Sequence, residues 1–446
     1  MNVFFVSLGC DKNLVDSEYM LGMLRDRGYT FTDDETKADV IIVNSCCFIG
    51  DAKEESINTI LEMAAYRTDD SERCRALIVT GCLAQRYADE IHSEIPEVDA
   101  VIGTTAYDKI GEVLDRVLEG EYVREIQNMD RPVSSDSDRI VTTGGYYSYL
   151  KIAEGCSKHC TYCIIPHLRG RYRSVPMERL IKEAVFLAGR GVKELILVAQ
   201  ETTVYGVDLY GEKRLPALLK ELCRIEGLEW IRIMYCYPEE ITDELIDVIR
   251  DEPRICHYLD MPIQHASDTV LKRMGRKTSR DELTAIIEKL RERIPDIVLR
   301  TTLITGFPGE SDDDQKILLD FVDEMEFDRL GVFTYSAEEG TPAAKMPEQI
   351  DDDLKEKRRD EVMELQQEIA FEHARRMTGL ELDVMIEGRL VDDDVYVART
   401  YMDAPGIDGV LFLNADRELM SGDIVRVRVT GANEYDLIGE LCDEPA

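Results

Sequence analysis

Short apolar runs separated by amphipathic stretches fill the first 118 residues. Val3-Phe4-Phe5-Val6, Val40-Ile41-Ile42-Val43 and Ala76-Leu77-Ile78-Val79 alternate with helical patterns from about Asn13 to Arg27 and from Lys53 to Tyr66. Strand, amphipathic helix, strand in that order predicts βαβ units and a parallel sheet. From Glu119 to Thr143 the pattern decays into polar residues, including Arg131-Pro132-Val133-Ser134-Ser135-Asp136-Ser137-Asp138, which predicts a linker. Strand patterns then recur from Tyr147 to Ala153, Glu194 to Ala199, Trp230 to Tyr235, His257 to Met261, Ile297 to Thr305 and Leu330 to Tyr335, with helical stretches between them. Six βα units predict a partial parallel barrel whose chemistry sits at the strand ends and following loops. A charged segment from Asp351 to Met377 keeps helical periodicity without internal Gly or Pro and predicts a bridging helix. Leu380 to Ala446 instead alternates in short runs such as Leu382-Asp383-Val384-Met385-Ile386, as a small antiparallel barrel would. The expected organisation is therefore α/β: residues 1–118, a linker 119–143, a barrel domain 144–376 and a terminal barrel 377–446.

Composition narrows the class. A chain of 446 residues, 44% hydrophobic and 32% charged, fits several globular domains. No basic leader opens it and no eighteen apolar residues run together, so a cytosolic protein without a membrane partner is expected. The net charge of -37 argues against direct nucleic-acid binding, which normally needs a basic stripe, and fits a basic protein partner better. The terminal piece carries 5 Arg, no Lys and 16 Asp plus Glu. Twelve cysteines in a reducing compartment point to metal or cluster ligands rather than to disulfides.

The cysteine spacing carries the chemistry. Gly155-Cys156-Ser157-Lys158-His159-Cys160-Thr161-Tyr162-Cys163 offers three thiols on one loop just after the first barrel strand. Three sulfurs hold three corners of a cubane iron-sulfur cluster and leave one iron open to a small ligand. The rival is a zinc site completed by His159 or His167. Cys10, Cys46 and Cys82 form a second set, each following an apolar strand at its carboxyl end, where ligand sites of parallel sheets gather. The bland alternative is three small buried hydrophobes. Cys74, Cys223, Cys236, Cys256 and Cys442 lack ligand spacing and read as packing or free thiols. The basic run Arg169-Gly170-Arg171-Tyr172-Arg173 either pairs with nearby carboxylates or attracts an acidic substrate region.

Four stretches, Ser7-Leu8-Gly9-Cys10-Asp11-Lys12-Asn13, Ala52-Lys53-Glu54-Glu55-Ser56, Tyr258-Leu259-Asp260-Met261-Pro262-Ile263-Gln264-His265 and Thr305-Gly306-Phe307-Pro308-Gly309-Glu310, match one family as they stand. With them the whole chain resembles the radical S-adenosylmethionine methylthiotransferases: an N-terminal methylthiotransferase domain, a radical SAM barrel and a TRAM-type barrel. Asp403-Ala404-Pro405-Gly406-Ile407-Asp408-Gly409 is similar to a stretch typical of the branch that modifies an aspartate of ribosomal protein twelve of the small subunit. That resemblance implies two [4Fe-4S] clusters, one on Cys156, Cys160 and Cys163 that binds S-adenosyl-L-methionine and one on Cys10, Cys46 and Cys82 that holds the sulfur to be transferred. It implies radical abstraction of hydrogen from the aspartate β-carbon and capture of a methylthio group, with one S-adenosylmethionine as methyl donor and one as radical source. Both sets of cysteines must then face one cavity across the domain boundary. A reductant protein and the ribosomal protein are the implied partners. Tyr162 against the adenine, Glu201 at the amino or ribose groups and Thr305 on the adenine-supporting strand are the further cofactor contacts it suggests. Against these stand packing for Tyr162, a solvated loop acid for Glu201 and a plain glycine turn after Thr305. Where the branch has Cys-Gly-Phe-Ile, this chain has Cys46-Cys47-Phe48-Ile49, so Cys47 replaces a glycine beside the aligned ligand. Two rivals remain: the tRNA branch of the same family, which modifies an adenosine, and a non-catalytic electron carrier or zinc-stabilised binding protein.

Overall fold

The computed structural model describes residues 1–68, 73–132, 138–390 and 395–442. Residues 133–137 of the expected linker, and 391–394 and 443–446 of the expected terminal barrel, lie outside the described residues. The first sheet contains β1 (Asn2–Ser7), β2 (Thr30–Phe31), β3 (Val40–Ser45), β4 (Ala76–Gly81), β5 (Ala100–Ile102) and β6 (Val123–Glu125). Their order is β2-β1-β3-β4-β5-β6 and every pairing is parallel. β3 and β4 are buried along their whole length, as continuous apolar runs in a doubly covered sheet should be. Within the polar stretch 119–143, β6 supplies one edge of this sheet, and Arg139 is buried.

The second sheet takes β7 (Tyr147–Lys151), then β10 (Glu194–Val198), β11 (Trp230–Ile233), β12 (Ile255–Asp260), β13 (Val298–Thr305) and β14 (Arg329–Thr334) in sequential, all-parallel order. β8 (Ala153–Glu154) and β9 (Arg173–Ser174) pair with each other across the segment between β7 and β10. The sheet stays open between β7 and β14, so six βα units make a partial barrel. Alternate residues serve its two faces. Leu195, Leu197, Ile231, Ile233 and Leu259 pack with the covering helices. Ile196, Val198, Trp230, Cys256 and Tyr258 pack instead with the terminal barrel.

That terminal barrel is closed, with β15 (Glu381–Leu390), β16 (Val395–Thr400), β17 (Leu411–Asn414), β18 (Ile424–Asn433) and β19 (Asp436–Leu441) in the order β15-β16-β17-β19-β18. It departs from the antiparallel expectation at one seam, because β17 and β19 pair in parallel. Strand directions cannot alternate all the way round a ring of five, so one parallel pair is unavoidable. A buried ionic knot fastens this barrel to the partial one. Glu194 accepts from Arg232 Nε at 2.7 Å and also from Arg399, whose own Nε reaches Glu387 at 2.8 Å. Asp403 meets Arg329, and Asp408 accepts from Tyr258 Oη at 2.8 Å and lies 3.6 Å from Arg300. With side chains only 4% exposed, Asp403 and Asp408 are docking residues rather than surface acids. The bridging helix, Asp352–Arg376, packs on β13, β14 and helix Asp312–Met325 and reaches β18.

Candidate active site

Three neighbouring strands of the first sheet deliver Cys10, Cys46 and Cys82 to one end. Ser7 at the end of β1 is in register with Asn44, Ser45 at the end of β3 with Gly81, and a cysteine follows shortly or directly in each case. Glycines make the approach possible. Gly9 has φ of +86°, and a Cβ there would sit 2.9 Å from Cys46 Sγ, so only glycine lets the Cys10 turn close against Cys46. Ser56 Oγ accepts from the Cys46 amide at 2.9 Å. Burial, with Cys82 and then Cys10 alongside, pushes the Cys46 thiol up to about 12, and burial likewise raises Cys82. Cys47 is fully buried in the apolar cluster with Ile41, Val43, Leu77 and Leu168.

The second set lies on the loop after β7 and β8. Gly155, with φ of +74°, abuts the carbonyls of Arg169, Gly170 and Arg171, and the Cys156 amide donates to Gly170 O at 3.1 Å. The Lys158 amide points at Cys156 Sγ, 3.4 Å away, and Tyr237 Oη is 3.7 Å from Cys160 Sγ. Burial pushes Cys156 up to about 11 and, with Cys160 and Cys156 beside it, Cys163 up to about 12. His159 and His167, the candidate fourth ligands of a zinc site, are both exposed.

A cavity of about 80 Å³ beside this loop is lined by Lys158, Cys160, Tyr237, Glu239, Arg276 and Lys277. Glu201, just past β10, is 1% exposed rather than solvated. Its Oε1 accepts from the Thr203 amide at 3.0 Å and from the Thr203 hydroxyl, whereas its Oε2 has no hydrogen-bond partner in the protein and sits 3.9 Å from Lys158 Nζ. Burial pushes this carboxyl up to about 7. Tyr162 packs against Met274, Phe307, Tyr335 and Ala343, with burial and the neighbouring Cys160 raising its phenol. Thr305 is buried at the end of β13 and gives its hydroxyl to Lys355 O at 3.3 Å. The following turn is locked from within, since Glu310 accepts from the Phe307 amide and from Arg358 at 3.0 Å each.

Tyr237 and Arg276 were not anticipated from sequence. Arg276 lies 4.3 Å over the Tyr237 ring, and its Nε and Nη1 lack partners in the protein. Only the position of Tyr237 after a barrel strand could have flagged it. Tyr235, at φ of +60°, is a second unforeseen element: Lys12 Nζ lies 3.3 Å from its ring centre and its hydroxyl 3.5 Å from Asp11. Loops at the carboxyl ends of both sheets therefore meet, here and at Gly50 with Ser336 and Arg86 with Glu338. The basic run pairs internally: Arg169 with Asp16 and Glu154, Arg171 and Arg173 with Asp130.

Comparison with known proteins agrees with this layout. Residues 2–103 match the family model described as Uncharacterized protein family UPF0004, residues 150–322 the Radical SAM superfamily, and residues 378–442 the TRAM domain. Together they make the chain a radical SAM protein, and its relatives make it a methylthiotransferase. The chain is 65% identical to the ribosomal protein uS12 methylthiotransferase RimO of Lachnoclostridium phytofermentans, over 98% of this chain and 99% of that one. It is 50% identical to the RimO of Acetivibrio thermocellus over 99% and 98%, and 49% identical to that of Clostridioides difficile over the full length of both. The chain belongs to the RimO family. In fold it is similar to the radical S-adenosylmethionine methyltransferase TsrM of Kitasatospora setae, a structure with cobalamin and a [4Fe-4S] cluster, at a TM-score of 0.55 and 14% identity over 77% of this chain and 76% of that one.

Proposed function

We propose that this enzyme methylthiolates the β-carbon of an aspartate in ribosomal protein uS12, giving 3-methylthioaspartate. In this reading Cys156, Cys160 and Cys163 hold a [4Fe-4S] cluster that seats S-adenosylmethionine, and Cys10, Cys46 and Cys82 hold a second one. When bound, these groups supply one-electron chemistry at an unactivated C–H bond and the sulfur and methyl to be transferred. The observation that supports the reading is that each cysteine triad follows strands at the carboxyl end of a parallel sheet, and that loops from those two ends touch at Tyr235, Asp11 and Lys12.

The protein's own residues have definite tasks. Glu201 presents an unpartnered carboxylate oxygen suited to the cationic amino group of S-adenosylmethionine, and Tyr237 and Arg276 wall the adjoining cavity against water. The units that perform these tasks are residues 1–118 with β6 completing their sheet, 144–376 and 377–446. A protein rather than RNA as target is supported by the net charge of -37 and by the terminal barrel, where Arg399, Arg426 and Arg428 are each held by carboxylates. The cytoplasm is the place such a target implies, and a separate reductant protein is the electron donor we infer. Among the described residues no helix is long and apolar enough to cross a membrane. Mass spectrometry of uS12 and of tRNA from cells with and without the gene tests the proposal. The methylthio group should vanish from the uS12 aspartate, and its loss from tRNA alone would overturn the assignment.

A further inference from the structure

The helix Ile165–Arg169 continues directly from the Cys156–Cys163 loop and packs against helix Cys82–Arg86 of the first domain. Its last side chain, Arg169, is 2% exposed and crosses the domain boundary. One guanidinium nitrogen donates to Asp16 Oδ2 at 2.7 Å and Glu154 Oε2 at 3.2 Å, and the other donates to Asn13 Oδ1 at 2.6 Å. Lys151 joins the same two carboxylates, so two cations face two anions out of water.

Asn13 is the important acceptor. Its amide nitrogen donates to Leu8 O at 2.8 Å and to Ser45 O at 3.1 Å. Leu8 leads through Gly9 into Cys10, and Ser45 directly precedes Cys46, so one side-chain amide sets the spacing of two cysteine-bearing loops. The amide holds them only with nitrogen toward the carbonyls. A guanidinium can only donate, so Arg169 against Oδ1 enforces that orientation, since the flipped amide would set oxygen against two carbonyls and NH2 against the guanidinium. Burial of Arg169 among Cys82, Cys10 and the carboxylates places its charge beside the same thiols.

We propose that Arg169 is a positioning residue that makes assembly of the Cys10, Cys46 and Cys82 centre depend on the folded Cys156–Cys163 loop, acting through Asn13. The proposal rests on the reading that the first three cysteines hold a cluster. The test compares Arg169→Met, Asn13→Ala and their double variant in the full chain after anaerobic reconstitution, with iron content and electron paramagnetic resonance of the reduced protein as readouts. Each single variant should lose about half of the iron, with the signal of the N-terminal centre lost or altered and the S-adenosylmethionine-sensitive signal of the other centre kept. The double variant should be no worse than the poorer single one, because both act on one linkage. Full iron with an unchanged N-terminal signal in both single variants would overturn the proposal, as would additive losses. Should Arg169→Met not fold, Asn13→Ala, which leaves the buried charges balanced, decides alone. Failure of the underlying reading looks different: there the variant with Cys10, Cys46 and Cys82 all replaced by Ala keeps its full iron.

Discussion

Replacing Glu201 by Gln isolates one charge at the proposed S-adenosylmethionine seat. Glu201 is 1% exposed and one of its oxygens has no partner in the protein, so the cationic amino group of the cofactor would be its first strong one. A hydrogen bond to a charged group contributes about 1.5–3 kcal/mol, and Gln keeps an acceptor, so affinity should fall roughly 10- to 100-fold. Burial has pushed the carboxyl up to about 7, and the proton must leave before the amine is bound as an ion pair. The native protein should therefore bind about tenfold more weakly at pH 6 than at pH 8, and the Gln variant should lose this dependence. Stability should move the other way. A folded-state value raised from 4.5 to about 7 means that the stability this group contributes is present below about pH 4.5 and lost as pH rises through 7. Without its cofactor, Glu201→Gln should thus be more stable at pH 8, on the order of 1–3 kcal/mol, with the advantage fading under acid conditions. Equilibrium dialysis of the reconstituted enzyme and urea unfolding of the apo chain measure the two arms. Affinity within twofold of the native value at both pH values would refute the reasoning.

Glu194→Gln should cost about 3–5 kcal/mol in denaturant unfolding, because it leaves the buried Arg232 without a carboxylate and Arg399 with Glu387 alone; a loss below about 1 kcal/mol would show that the knot does not fasten the barrels. Burial alone would raise Glu194, but Arg399 and Arg232 outweigh it and hold it below its ordinary value, so its contribution should persist above about pH 4.5 and be lost as acid titrates it. Cys47→Ala should leave the iron content unchanged and cost about 1 kcal/mol for the void in its apolar cluster; loss of half the iron would make Cys47 a ligand. Replacing Cys10, Cys46 and Cys82 together by Ala should remove one cluster and abolish sulfur transfer while reductive cleavage of S-adenosylmethionine continues, and retention of both clusters would exclude that triad.

The longest apolar runs were the most legible, because β3 and β4 are buried on both faces and leave continuous hydrophobic sequence. β2 and β6 escaped notice: two or three residues, exposed or at a sheet edge, carry no periodicity to read. The cysteine triads stood out by spacing and by their place after strands, whereas Tyr237 and Arg276 belong to the cavity only through packing between distant loops. The same limit explains Asp403 and Asp408. They look like surface acids until Arg329, Arg300 and Tyr258 arrive from strands about 75 to 150 residues away in the chain. Arg169 had carboxylate pairing among its possible roles, but its partners Asp16 and Asn13 lie some 150 residues upstream.

The terminal barrel seats against the helix-free face of the partial barrel through Glu194, Arg232, Arg329 and Tyr258, all contributed by the radical domain. It is consequently not a detachable module that could be exchanged to redirect the enzyme toward another target. A graft from a relative would leave Arg329 without its carboxylate and Glu194 with Arg232 alone unless it brought its own equivalents of Arg399 and Asp403. Replacing this barrel therefore means replacing plug and socket together.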